Sequence, residues 1–199
     1  MERKSFRNIY TRVHFNPKND YSIKLEGYSE AVNNGLSEAC RKVAQMGDLS
    51  GTEHLYLVNL ETGTLDYYET SEIEDIVGYG FRMELKKNPL NKYAFVHNHN
   101  THGSLSETDM QTLLGESQIQ VMVAVTNDGI KYIAESGICL ISLFFDDIYP
   151  EEIELLNQKL KNGIISVAER TYLREQTIVD NLLHDYSKAG RLVIQDGRK

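Results

Sequence analysis

The strongest constraint on this chain is the segment 93–109, in which an apolar run ends in His97 and His99 and a short loop leads to Ser106 and Asp109. Side chains of a β-strand alternate between its two faces, so both imidazoles at the end of such a strand point the same way. The residues after Ser106 have the spacing of an amphipathic helix. The segment therefore predicts a strand, a turn and a helix whose first turn contains Asp109.

His97, His99 and Asp109 form a candidate metal site. Two neutral imidazoles and one carboxylate leave a fourth tetrahedral position for water, which is typical of a catalytic zinc site, and Zn²⁺ is the predicted cofactor. Each part of this candidate site also has an explanation that involves no metal. Paired histidines can finish a strand at its solvent edge, and Ser106-x-x-Asp109 matches a helix capping box. His102 lies in the glycine-containing loop, where a bystander or a substrate contact is favoured over a metal ligand.

Hydrolysis at such a site also requires a group that accepts a proton from water. Glu69 is the predicted general base, because it ends a strand-like run and shares one face of that strand with Leu65 and Tyr67. Glu72 is the second choice. The ordinary explanation of Glu69 is a solvated strand end. The chain contains neither HExxH nor the paired H-x-E and P-C-x-x-C motifs, which argues against a helix-borne metallopeptidase site and a nucleobase deaminase.

Composition limits the classes of partner. A formal net charge of -8 over 199 residues argues against a nucleic-acid partner. Cys40 and Cys139 are too few for a disulfide framework or a cysteine-based zinc site. No apolar run approaches the ~20 residues of a membrane span, and the first residues lack the apolar core of a signal peptide. We therefore expect a soluble, cytoplasmic protein with no membrane partner.

The order of predicted elements indicates an α/β fold. Apolar residues at helical spacing predict a helix over 29–46 that stops at Gly47, and hairpins are expected over 54–70 and 119–136. Together with the histidine-bearing strand, this order predicts a mixed central β-sheet flanked by helices. The predicted domain organisation is an N-terminal arm (1–27), a central domain (28–149) and a helical C-terminal extension (150–199).

The polar residues resemble the JAMM motif of the MPN+ (JAB-domain) metalloproteases, which is an upstream glutamate, H-x-H and S-x-x-D. In this chain the motif reads Glu69, then His97-Asn98-His99, then Ser106 to Asp109, and the resemblance covers roughly residues 50–136. It implies a JAB/MPN-like, cytidine-deaminase-like architecture.

The resemblance also implies a role for each residue of the motif. His97, His99 and Asp109 would hold zinc, Glu69 would be the general acid and base, and Ser106 would donate a hydrogen bond to the oxyanion. The chain departs from the family at Asn100, where many members have proline.

The resemblance implies a zinc-dependent metallopeptidase or isopeptidase that hydrolyses an amide bond of a protein or peptide through a zinc-activated water. The bacterial and phage-associated or toxin-associated branch is the closer one, which implies a place in a larger polyprotein or particle. Two alternatives stay open. One is a catalytically silent JAB-like module that binds a protein, and the other is a metal-dependent hydrolase of a non-peptide substrate.

Overall fold

The computed structural model describes residues 11–70, 80–136, 149–186 and 193–199. The described helices and strands form one mixed six-stranded sheet with helices packed on it, which confirms the predicted α/β class. In chain order they are α1 (Glu30–Ser50), β1 (His54–Asn59), β2 (Leu65–Thr70), α2 (Gly80–Lys87), β3 (Tyr93–His99), α3 (Glu107–Gly115), β4 (Ile119–Thr126), β5 (Ile130–Glu135), α4 (Pro150–Lys161), α5 (Val167–Tyr186) and β6 (Val193–Asp196).

The sheet has the strand order β2-β1-β3-β4-β5-β6, and among these described strands only β3 and β4 are parallel neighbours. Two parallel strands require a crossover connection, and α3 supplies it. The two strands are almost entirely buried, as expected of central strands that are covered on both faces. Both predicted hairpins, β1–β2 and β4–β5, are present.

The sheet separates two apolar cores. On one face, Phe95 and Met122 belong to a buried cluster that also includes residues of α2, α3 and α4. On the other face, Val96 and Val123 belong to a cluster with residues of α1 and Tyr21 of the N-terminal segment. Alternate residues of β3 therefore contribute to opposite cores, and this alternation decides which polar side chains face which side at the end of the strand.

Helix α1 begins after the N-cap Ser29, whose hydroxyl accepts a hydrogen bond from the amide of Val32 at 3.3 Å. The predicted stop at Gly47 is wrong, because the helix continues to Ser50 and ends at Gly51, whose φ is 79°. Gly47 has a packing role instead: a Cβ there would lie 2.0 Å from Nδ2 of Asn98. The glycine lets α1 cross close over the end of β3.

Described residues near both termini contact the central sheet and its cores. Tyr21, a residue of the predicted arm, is buried in the α1-side core. The C-terminal extension contains the predicted helices and also strand β6, which pairs antiparallel with β5. The amide of Asp20 donates to the carbonyl of Gly197 at 2.7 Å, so the two terminal segments meet beside β5. None of the described helices is both long and apolar enough to cross a membrane.

Replacement of Gly47 by alanine tests the close approach of α1 to β3. Alanine favours a helix interior over glycine by about 1 kcal/mol, but the Cβ would overlap the Asn98 amide. We expect Gly47→Ala to lower the free energy of unfolding by about 1–3 kcal/mol, the usual effect of overpacking, in urea titrations. Gly115→Ala is the matched control, because a Cβ at this helical glycine meets no atom within 4 Å. Equal effects of both substitutions would contradict the packing role of Gly47.

Candidate metal centre

The crossover from β3 through α3 to β4 brings together the three predicted ligands, His97, His99 and Asp109, which we call the ligand group. His97 and His99 lie at the end of β3 on one face, and Asp109 lies in the first turn of α3. The Nε2 atoms of the two histidines are 3.0 Å apart. Oδ1 of Asp109 is 3.1 Å from Nε2 of His97, and Oδ2 is 3.6 Å from Nε2 of His99. The side chains are 1%, 12% and 10% exposed in the order His97, His99 and Asp109.

Asp109 is held in place by the helix cap that the sequence suggested as an alternative. The backbone amide of Ser106 donates to Oδ2 of Asp109 at 2.7 Å, and the Ser106 hydroxyl donates to the same oxygen at 2.8 Å. In return, the amide of Asp109 donates to Oγ of Ser106 at 3.2 Å. The capping box and the ligand group therefore share one carboxylate, whose Oδ1 is directed at His97.

The environment of His99 selects the tautomer that a metal ligand needs. Nδ1 of His99 lies 3.0 Å from the carbonyl oxygen of Gly103. Because a carbonyl only accepts hydrogen bonds, Nδ1 carries a proton, and Nε2 is the atom that a metal ion would bind after displacing its proton. The ring of His97 packs edge-on against Phe95, with centroids 5.4 Å apart. Its buried Nδ1 has no hydrogen-bond partner among the described residues, so the ring is oriented by packing and by the contacts of its Nε2.

The electrostatics of the cluster favour positive charge at its centre. Burial lowers the pKa of His99, but the hydrogen bond to Asp109 and the charges of Asp109 and Glu53 outweigh it and raise that pKa to about 9. Burial raises the pKa of Asp109, but the two histidines hold it well below its ordinary value. A proton or another cation is therefore stabilised where these side chains meet.

The donor set fits a metal ion. One ligand atom from each of His97, His99 and Asp109 lies within 4.8 Å of the others. A tetrahedral site with zinc–nitrogen bonds of about 2.0–2.1 Å separates its ligand atoms by roughly 3.3 Å, close to the 3.0 Å between the two Nε2 atoms. A metal ion at the position that the three side chains face would take the place of the proton that the cluster favours.

Glu53, which the sequence pattern does not indicate, is a described acidic residue beside this group. Oε1 of Glu53 lies 4.0 Å from Nε2 of His99, and its side chain is only 10% exposed. The residue precedes β1, where Leu55 pairs with His97. Residues two apart share a face of a strand, so Glu53 is on the same face as the histidines. The register of β1 against β3 is the signal that would have identified it.

Glu69 lies on that face too, but one strand farther out, because Leu55 pairs with Glu69 on one side and with His97 on the other. Two strand spacings of about 4.8 Å separate the backbones of Glu69 and His97. The Glu69 carboxylate accepts from the amides of Gly80 and Phe81 at 3.1 and 2.9 Å. It therefore binds the first amides of α2, and the structure does not bring it to the ligand group.

His102 also lies outside the ligand group. Its Nε2 is 2.8 Å from Oδ2 of Asp128, and its carbonyl accepts from the Tyr132 hydroxyl at 3.2 Å. These contacts anchor the loop that presents the Gly103 carbonyl to His99. Glu72, the second choice for the base, lies outside the described residues.

The contacts of Glu69 predict an effect on stability. Glu69→Ala removes the acceptor for the first amides of α2, so we expect the free energy of unfolding to fall by about 1 kcal/mol, as for loss of an N-terminal cap. Metal content, measured by mass spectrometry, should stay at the wild-type level. Glu61→Ala, an exposed residue of the neighbouring turn, is the control and should leave unfolding unchanged. A loss of metal in Glu69→Ala would contradict the capping role.

Comparisons of this chain with protein-family models, with curated proteins and with solved structures find no match. The resemblance to the JAMM motif therefore rests on the residues of this chain and on their geometry.

Proposed function

We propose that this protein is a zinc-dependent hydrolase of amide bonds, a metallopeptidase or isopeptidase of the JAMM type. One observation carries the proposal: the buried donor set of His97, His99 and Asp109 has a second carboxylate, that of Glu53, beside it. Three protein ligands and a nearby acid are the parts that metal-assisted hydrolysis requires. Glu53 precedes the H-x-H pair, so the upstream glutamate of the JAMM motif is also represented.

A zinc ion bound by His97, His99 and Asp109 would polarise a carbonyl and lower the pKa of water towards 7. Glu53 has the position of a general base, because its Oε1 is 4.0 Å from the ligand nitrogen of His99 and therefore borders the space that the ligands face. In our proposal, Glu53 takes the proton of the attacking water and then delivers it to the leaving amine. Glu53 replaces Glu69 in this role.

Ser106 has two functions in this proposal. Its backbone amide and hydroxyl hold Oδ2 of Asp109, which leaves Oδ1 for the metal side. The hydroxyl has one proton, so a hydrogen bond to the oxyanion of the substrate requires it to rotate away from Asp109. Of the three proposed ligands, His99 has the largest exposed fraction, 12% of its side chain.

Metal content tests the ligand set. We expect wild-type protein, purified without added metal, to contain close to one zinc per chain by mass spectrometry. His97→Ala/His99→Ala should remove it, because both imidazole ligands are lost. Asp109→Asn should weaken zinc affinity, as measured by competition with a chelator. His102→Ala is the matched control, since its imidazole is hydrogen-bonded to Asp128, and it should keep the metal. Loss of zinc in His102→Ala with retention in Asp109→Asn would overturn the ligand set.

Turnover tests the base. We expect Glu53→Gln to retain zinc and to lose turnover of peptide and isopeptide substrates by at least about 100-fold, since proton transfer by a positioned group contributes 10²–10⁴-fold. Glu69→Gln is the isosteric control and should keep most of the activity, because its carboxylate binds α2 amides. Full activity of Glu53→Gln together with loss of activity in Glu69→Gln would return the role to Glu69.

The same experiments distinguish the alternatives. Protein that binds no zinc, even after zinc is added, would favour a catalytically silent module that binds a protein partner. Protein that binds zinc and hydrolyses esters or other bonds, with peptides and isopeptides left intact, would favour a metal-dependent hydrolase of a non-peptide substrate. Either of these two results would overturn the proposed amide hydrolysis.

A further inference from the structure

The strand that carries the histidines also carries asparagines on its opposite face. Asn98 lies between the two ligands, Asn100 follows the second, and both face α1 rather than the ligand group. Their exposed fractions are 0% and 4%. A buried amide costs free energy unless it is hydrogen-bonded, so the partners of these side chains indicate what they do.

The side-chain amide of Asn98 bonds to the backbone on both sides of Glu53. Its Oδ1 accepts from the amide of His54 at 2.7 Å, and its Nδ2 donates to the carbonyl of Thr52 at 3.3 Å. Because a carbonyl can only accept and an N–H can only donate, these two partners fix the orientation of the Asn98 amide. Glu53 is thus the one residue between two anchored peptide groups.

The side-chain amide of Asn98 extends the hydrogen bonding between β1 and β3 beyond the last backbone pair of these strands. That ladder ends where Leu55 pairs with His97. One residue earlier in β1, the side chain of Asn98 supplies the hydrogen bonds. Strand alternation is therefore kept through Glu53, whose carboxylate lies on the ligand face. His54 takes the opposite face, where its Nδ1 lies 2.8 Å from the Tyr68 hydroxyl.

We propose that Asn98 is a positioning residue, which fixes the Glu53 carboxylate beside the metal ligands by anchoring the peptide groups before and after it. This inference rests on the proposed function, in which Glu53 is the general base. A base must lie within hydrogen-bond reach of the proton that it takes, and a misplacement of about 1 Å can cost 10²-fold in rate. Asn98 acts through Glu53 and touches neither metal nor substrate.

Asn127 offers a matched control in the same network. It is 0% exposed, like Asn98. Its Nδ2 donates to the carbonyl of Val13 at 3.2 Å and to Oδ1 of Asn100 at 3.0 Å, and its Oδ1 accepts from Asn98 at 3.3 Å. The Asn127 side chain therefore binds the side chains of Asn98 and Asn100 and the backbone of Val13. The Asn98 side chain, in contrast, bonds directly to the residues on either side of Glu53.

The test compares Asn98→Ala with Asn127→Ala, each in the wild-type and in the Glu53→Gln background, as full-length zinc-loaded protein. We expect both alanine variants to lower the urea midpoint of unfolding and to keep zinc. Asn98→Ala should lower kcat on a peptide substrate by about 10- to 100-fold with KM unchanged, and Asn127→Ala by less than about threefold. In the Glu53→Gln background, Asn98→Ala should have little further effect, because it acts through Glu53. Equal loss in both backgrounds would overturn the proposal.

Hydrogen exchange provides a readout that is independent of activity. The His54 amide should exchange faster in Asn98→Ala than in wild type, beyond the change in global stability, and should stay protected in Asn127→Ala. Unchanged protection in Asn98→Ala would overturn the anchoring role. If wild-type protein hydrolyses no amide bond, the proposed function fails, and the anchoring of residues 52–54 is still decided by exchange. Asn98→Ser, which leaves a smaller cavity, replaces Asn98→Ala if the latter does not fold.

Discussion

The parallel pairing of β3 with β4 is the constraint on which the site depends. Parallel neighbours cannot be joined by a tight turn, so the chain must cross over through α3 before β4 begins. The carboxyl end of β3 and the amino end of α3 consequently meet at the same end of the central strands. Ligands at the end of a strand and in the first turn of the next helix are brought together by this connection alone. Open α/β sheets commonly bind small molecules and ions at the carboxyl ends of their parallel strands.

Polar groups are buried on both faces of β3, and each face satisfies them differently. On one face, the charges of Asp109 and Glu53 lie beside the imidazoles of His97 and His99, where a cation is stabilised. On the other face, the neutral amides of Asn98 and its neighbours satisfy one another and the ends of the adjacent segments. Neutral amides can fix the backbone there without the desolvation cost of buried charge.

Prediction from the sequence succeeded where the relevant contacts are local along the chain. The ligand group and the capping box lie within 97–109, so strand alternation and helix capping were sufficient to predict them. Both hairpins and the class of the fold are confirmed for the same reason. Glu53 was missed because its place depends on the register of β1 against β3, which no short-range pattern specifies. Glu69 lies on the same face of the sheet as the histidines, but β1 lies between it and the ligand group.

Gly47 and β6 are two further features that depend on contacts between residues distant along the chain. Helix propensity makes a glycine a candidate stop, whereas the proximity of Asn98 explains why α1 has a glycine at this position, since a Cβ there would overlap the Asn98 amide. Strand β6 has four residues, and its partner β5 lies far from it along the chain, so its pattern is too short to distinguish it from a terminal coil. Tertiary contacts override the local preference in both cases.

The meeting of the two terminal segments beside β5 has a consequence for the order of folding. Strands β1 to β5 and the ligand group all lie within residues 54–135, whereas the contacts of Asp20 with Gly197 and of Asn19 with Lys199 join segments near opposite ends of the chain. Contacts of such long sequence separation carry the largest loop-closure entropy, so we expect them to form after the contacts within 54–135. During synthesis, the edge of β5 that pairs with β6 is therefore without this partner until residues 193–196 have been made, later than the residues of the ligand group.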